Sequence, residues 1–360
     1  NYPLIDGVVN GCPSHLLENE SRNLIQYSEA FDNAYWNKTS VTVTPNEAIS
    51  PDGTLNASKL IEGTSNSRQE IWKNIGTTTS TNVFSCFLKK GTGKFASLVT
   101  SDTTTWNTMV VVDLELGIIT SSYNLSGYST VDKLEDYGNG WYRLTTSISG
   151  TYSGDLFYGR INIQNSATPN QPPGHSYTGD GTSNIYIWGA MLEQGSYPTS
   201  YIKSNIGNTT TRAAETANGA GDATTFNDSE GVLMAEFKSL DSSDTSSRRL
   251  GITKDGTYEG LRLQLGSGNI SVTVYDGATN QYNKTVNLDN SIFHKVALKY
   301  KANDFALWID GIEYFPQSSG STFVNGTLDD ISFDYVGGNP FRGSAKQIQY
   351  FDSALNDSDL

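Results

Sequence analysis

The sequence predicts an all-β protein built of two tandem antiparallel β-sandwiches, and three observations carry that prediction. The 360 residues include 35 glycines among abundant Thr, Ser and Asn, with few long runs of helix-forming residues. Short apolar-rich segments recur between Gly, Ser and Asn turns, at spacings of roughly 10 to 15 residues in the C-terminal part. The third observation is the stretch at residues 184–203, NIYIWGAMLEQGSYPTSYIK. There Ile185, Ile187, Gly189 and Met191 alternate with Tyr186, Trp188, Ala190 and Leu192, so both faces are largely apolar, as in a strand inside a sandwich. Pro198 then stops the sheet, because proline cannot donate to a ladder.

Composition narrows the function classes. Hydrophobic content of 36 % with 11 % aromatics is too rich for disorder, and no run reaches the ~18 apolar residues of a membrane span. A formal charge of −14 repels phosphate backbones and anionic membrane surfaces. Nucleic acid and membrane are therefore excluded as partners, and neutral or cation-bridged ligands are the easier ones. Cys12 and Cys86 are expected to be free thiols, since two cysteines do not make a disulfide framework.

Taken in order, residues 1–22 read as an extended lead-in, with Pro3, Gly7, Gly11 and Pro13 around the apolar pair Leu16-Leu17. The first sandwich spans 23–205. It opens on residues 41–44, turns at Ser50-Pro51-Asp52-Gly53 and resumes at Leu60-Ile61. Further strands are expected at 69–74, 82–89, 95–100, 107–114, 141–149, 156–164 and 184–192. Pro169, Pro172, Pro173 and Gly174 mark a long loop over 168–181. Residues 206–231, poor in bulky apolar side chains, read as a linker. The second sandwich spans 232–360, with a hairpin at Asp310-Gly311, where glycine takes positive φ freely.

Catalysis needs titratable groups brought together, and the sequence offers few. His15, His175 and His294 lie far apart, and HExxH, GxSxG and P-loop motifs are absent. Asp113 and Glu115, before Gly117, read as a turn. Asp329 and Asp330 face opposite sides of a strand and cannot flank one bond, and Asp334 follows them. Lys346 to Tyr350 is only a faint echo of a lyase set and reads as a strand. No catalytic residue is assigned.

Binding is better supplied. Trp36, Trp141, Trp188 and Trp308 sit in apolar phrases and are assigned to packing, whereas Trp72 and Trp106 sit in polar ones, RQEIWKN and DTTTWNTM. In LFYGRINIQ, alternation places Tyr158, Arg160, Asn162 and Gln164 on one sheet face, opposite Phe157, Gly159, Ile161 and Ile163. An aromatic ring, a guanidinium and two amides on one face make a platform for a polyhydroxylated ligand; an ordinary solvated face is the alternative. Arg248, Arg249 and Arg262 either meet an acidic sugar or balance local acids.

Two resemblances add to this. The wording WGAMLEQGSYPTSYI, with IDGVVNGCPSHLLENESRNLI at the N-terminus, resembles carbohydrate-binding-type jelly rolls of bacterial-virus tail and fibre proteins and of secreted glycan-degrading proteins. The stretch FHKVALKYKANDFALWIDGIEY, followed by FRGSAKQIQYFDSALNDSDL, resembles laminin-G-like or concanavalin-A-like lectin domains. These resemblances imply a non-catalytic recognition module in a virion tail or fibre. Its expected partners are host-surface glycan and other virion proteins, in a possible trimer. They also imply further sequence before Asn1 and after Leu360. The alternatives are a purely structural virion protein and an accessory module of a secreted polysaccharide-degrading enzyme. Calcium is a common accessory of both resembled groups, and its oxygen ligands would come from Glu29, Asp32 and Glu193, or from Asp241 and Asp244.

Overall fold

The computed structural model describes residues 4–5, 8–9, 14–76, 81–102, 105–150, 157–168, 175–204, 206–241, 246–254, 257–333 and 340–360. Cys12, Pro3, Gly7, Gly11, Pro13, Pro169, Pro172, Pro173, Gly174, Asp244 and Asp334 lie outside the described residues. The chain is all-β: its strands pair antiparallel, and the helical element among the described residues is one 3-10 turn, Asp357–Asp359. It divides into two units, residues 1–10 with 20–213 and residues 11–19 with 214–360.

Twelve strands form the first unit's sandwich: β1 (Asn37–Thr39), β2 (Val41–Ile49), β3 (Leu55–Glu62), β4 (Glu70–Gly76), β5 (Thr81–Lys90), β6 (Phe95–Ser101), β7 (Trp106–Asp113), β8 (Ile118–Asn124), β9 (Ser129–Asp136), β10 (Trp141–Ser149), β11 (Phe157–Gln164) and β12 (Asn184–Gln194). One six-stranded sheet runs β9-β10-β5-β12-β3-β2 and the other β8-β7-β6-β11-β4-β1. Period-2 alternation sends Phe84, Leu98, Val110, Phe157, Ile161 and Ile187 between the sheets, where they are buried together with Trp36. Gly159 belongs to this packing, since a Cβ there would stand 3.0 Å from the Phe84 ring. Trp141 and Trp188 are buried too, but in a separate aromatic cluster with Phe87.

The second unit uses β13 (Glu230–Ser239), β14 (Arg248–Thr253), β15 (Gly260–Gly266), β16 (Asn269–Tyr275), β17 (Asn280–Asn287), β18 (His294–Lys301), β19 (Phe305–Ile309), β20 (Ile312–Gln317), β21 (Asp330–Ser332) and β22 (Gly343–Phe351). One sheet runs β20-β19-β18-β13-β22 and the other β17-β16-β15-β14-β21, enclosing Leu233, Leu263, Val272, Leu298 and Phe305. The hairpin at Asp310-Gly311 is present, with φ of 54° and 79°. Its Asp310 Oδ2 lies 2.6 Å from His294 Nδ1, and the Asp289 carbonyl lies 2.9 Å from Nε2. Burial disfavours the imidazolium, but the Asp310 and Asp289 contacts outweigh it and hold the His294 pKa above its ordinary value. This stabilisation is complete below the unfolded-state pKa of ~6.5 and is lost as pH rises through the folded value. Thermal unfolding of the second unit is therefore expected at lower temperature at pH 8 than at pH 6. His294→Gln should remove that difference, and a parent curve flat over this range would refute the assignment.

Two expectations about organisation change. Residues 14–19 are not merely a lead-in to the first sandwich: His15–Leu17 adds an edge strand to β22 in the second unit, and Leu17 is buried in that unit's core. The stretch 206–231 is likewise tied down at both ends. Thr210–Arg212 pairs with Ser21–Asn23, Ala220 bridges Ile331, and Phe226 enters the second core. Backbone donors and acceptors need partners wherever they are covered, so a segment poor in apolar side chains can still be fixed by its main chain.

Candidate functional site

Alternation along β11 decides the site. With Phe157, Ile161 and Ile163 committed to the core, Tyr158, Arg160, Asn162 and Gln164 must point to the sheet's other face. Register then brings in the neighbouring strands. Arg160 stands opposite Trp72 of β4 on one side and Val99 of β6 on the other, and the row continues through Met109 of β7 to Tyr123 of β8. Asn162 stands between Glu70 and Ser97, and Tyr158 between Asn74 and Ser101, which is itself opposite Trp106. All six residues singled out from the sequence, Trp72, Trp106, Tyr158, Arg160, Asn162 and Gln164, thus share one face.

Their arrangement differs from a platform of bare rings. The Arg160 guanidinium carbon lies 4.2 Å from the Trp106 ring centroid, 5.1 Å from that of Trp72 and 5.6 Å from that of Tyr158. A planar, weakly hydrated guanidinium suits such a cage. The three rings are half-buried, and part of their surface is spent on Arg160. Arg160 Nη1 donates to Glu70 Oε1 at 3.0 Å and its Nε to Ser101 Oγ at 3.2 Å. Arg68 Nε donates to the same Glu70 oxygen at 3.0 Å, and Asn162 Nδ2 to the other at 3.2 Å. Arg68 also lies over Trp106, at 4.6 Å. Burial pulls the Arg160 pKa below its ordinary range, with Glu70 opposing that shift.

The amides contribute acceptors. Gln164 Nε2 donates to Ser97 Oγ at 2.9 Å, which leaves Gln164 Oε1 and Asn162 Oδ1 without a hydrogen-bond partner among the described residues. Both side chains are buried, so an unmet acceptor there costs free energy unless something supplies a donor. Trp72 Nε1 donates to Thr39 Oγ1 at 3.2 Å, and Asn74 Nδ2 to Tyr158 OH at 3.3 Å. Rings and guanidinium N–H groups converge, which is the chemistry of holding a polar ligand. Glu70, engaged by two guanidiniums, is ill suited to act as a free base.

Sequence reasoning missed Arg68, Glu70, Ser97 and Ser101. The signal was present for two of them: Arg68, Glu70 and Trp72 are spaced by two residues, the period of one strand face.

The remaining candidate residues have other partners. Among the described residues no group of three His, Cys, Asp or Glu side chains is placed to hold a metal ion, and Glu29 and Glu193 are engaged by other groups. Glu193 accepts from Ser21 Oγ and Thr199 Oγ1 at 2.6 Å each and from Thr199 N at 2.9 Å, while Glu29 takes Lys203 Nζ at 2.6 Å and Tyr201 OH at 3.1 Å. Asp241 uses its carbonyl to accept from the buried Arg248, 2.8 Å away. Arg248 therefore faces inward, whereas Arg249 bonds Gln264 and Arg262 bonds Thr273 on the opposite side of their sheet. Asp113 serves the turn before Gly117, with Oδ1 accepting from the Glu115 and Leu116 amides. Lys346 lies in β22, paired with Glu236 at 2.6 Å. Cys86 is free and buried, and burial pushes its thiol pKa up.

No protein-family model and no curated protein matches the chain. Among solved structures, it is similar to the CBM40 domain of Ruminococcus gnavus IT-sialidase, at 16 % identity and TM-score 0.34 over 40 % of this chain and 91 % of that one. It is also similar to mouse laminin alpha1 chain domains LG4-5, at 11 % identity and TM-score 0.28 over 97 % and 94 % of the two chains. A third is Trypanosoma rangeli sialidase, at 12 % identity and TM-score 0.30 over 84 % and 59 %. Likenesses this slight assign neither a ligand nor a lineage.

Proposed function

We propose that the chain is a non-catalytic glycan-recognition module that meets its ligand at the outer face of the β8-β7-β6-β11-β4-β1 sheet. The observation that carries the reading is the convergence of the half-buried Trp72, Trp106 and Tyr158 on Arg160, with Arg68 over Trp106. Guanidinium N–H groups donate to sugar hydroxyls, and ring faces accept the C–H side of a pyranose. The resemblance of WGAMLEQGSYPTSYI to tail and fibre jelly rolls makes a virion tail or fibre the proposed setting, with host-surface glycan as the target.

Glycan-array and host cell-wall pull-down measurements test this. Saturable binding is expected, with Trp72→Ala and Trp106→Ala each losing about 1–2 kcal/mol, on the order of ten-fold. Undiminished binding by both variants would move the contact elsewhere. New reducing ends or unsaturated products from an incubated host polysaccharide would replace recognition by catalysis.

A further inference from the structure

We infer that Arg68, Glu70 and Arg160 form an anion-selective subsite that takes carboxylate or sulfate groups of an acidic glycan; this rests on the recognition face just proposed. Two guanidiniums converge on one carboxylate oxygen, each at 3.0 Å, so the cluster retains one positive charge. Glu70 is wholly buried, the Arg160 side chain is 10 % exposed and that of Arg68 33 %, so the cation that is left over is presented on the Arg68 side. Arg68 spends only Nε on Glu70, and Arg160 spends Nε and Nη1. The remaining terminal nitrogens, Nη1 and Nη2 of Arg68 and Nη2 of Arg160, donate to no group among the described residues. A guanidinium fork with unspent parallel donors matches the oxygens of a carboxylate or a sulfate.

Asp113 of the same sheet does not cancel that charge, since Lys94 matches it at 3.4 Å. The net charge of −14 opposes an anionic ligand at long range, but at physiological ionic strength surface charges are screened beyond about 8 Å. Contact is decided locally, in a half-buried cage where screening is weaker. The overall negative charge then acts as a filter, since only an anion seated on this cluster gains enough to stay.

The test measures binding of the whole chain to two pairs of polymers that differ in charge alone: polygalacturonate against its methyl ester, and dextran sulfate against dextran. At least one charged polymer is expected to bind ten-fold or more tightly than its neutral form, and which pair shows the preference tells carboxylate from sulfate. Arg68→Gln should erase the preference, Arg68→Lys should keep part of it, and Glu70→Gln should not reduce it. Equal binding within both pairs, or a preference that survives Arg68→Gln in a folded variant, overturns the subsite and leaves glycan recognition standing. Absence of binding to all four polymers and to the glycan array overturns both.

Discussion

Arg160→Ala is expected to destabilise the first unit by about 3 kcal/mol, the typical cost of removing one partner from a buried ion pair. Glu70 is wholly buried, and without Arg160 its side-chain partners among the described residues are Arg68 and Asn162, while three rings lose the group they enclose. For a unit of this size that corresponds to a fall in melting temperature of roughly 6–12 °C. Tryptophan fluorescence reports it well, because Trp36, Trp72, Trp106, Trp141 and Trp188 belong to the first unit and Trp308 to the second. Adding Glu70→Gln should return part of the loss, since the orphaned charge is the costly element. An Arg160→Ala chain within 1 kcal/mol of its parent would mean that the cage is wetter than its geometry indicates.

Glu193→Ala should cost a comparable amount, about 3 kcal/mol, for a different reason. Its carboxylate is the shared acceptor for Ser21 Oγ, Thr199 N and Thr199 Oγ1, and Ser21, Thr199 and Glu193 itself are all buried. Truncation leaves those donors facing a void. Glu193→Gln, which keeps one acceptor, should lose about half as much. The same loss is expected in calcium and in excess chelator, because the bonds lie within the protein. If chelator lowered the parent to the level of Glu193→Ala, the carboxylate would be serving a metal instead.

These two residues show what the sequence discloses and what it withholds. Strands with strong apolar alternation were legible to within a residue or two: 141–149 is observed as Trp141–Ser149, and 82–89 as Thr81–Lys90. Ile118–Asn124 and Ser129–Asp136 were not, because their alternation is mostly polar and they lie at the edges of the sheets. The side shared by Tyr158, Arg160, Asn162 and Gln164 was legible for the same reason as the first group, since period-2 spacing along one strand fixes which side chains share a face. Register between strands cannot be read that way, so the partnership of Arg160 with Glu70, 90 residues away, stayed hidden. Carboxylates were harder still. Nothing in their spacing says that Ser21 and Thr199 reach Glu193, or that Lys203 reaches Glu29.

The short strand His15–Leu17 has a consequence for how the chain comes to be folded. It is synthesised long before its partners, Gly343–Ala345. Loop closure over such a separation is entropically slow, so His15–Leu17 stays unpaired until β22 has been made, and the edge of β22 is then open until that strand returns to it. A fragment beginning at Ala214 would carry that edge permanently bare and lack Leu17 in its interior. Such a fragment should self-associate through the uncovered strand, and a peptide spanning residues 14–19, supplied in trans, should suppress the association.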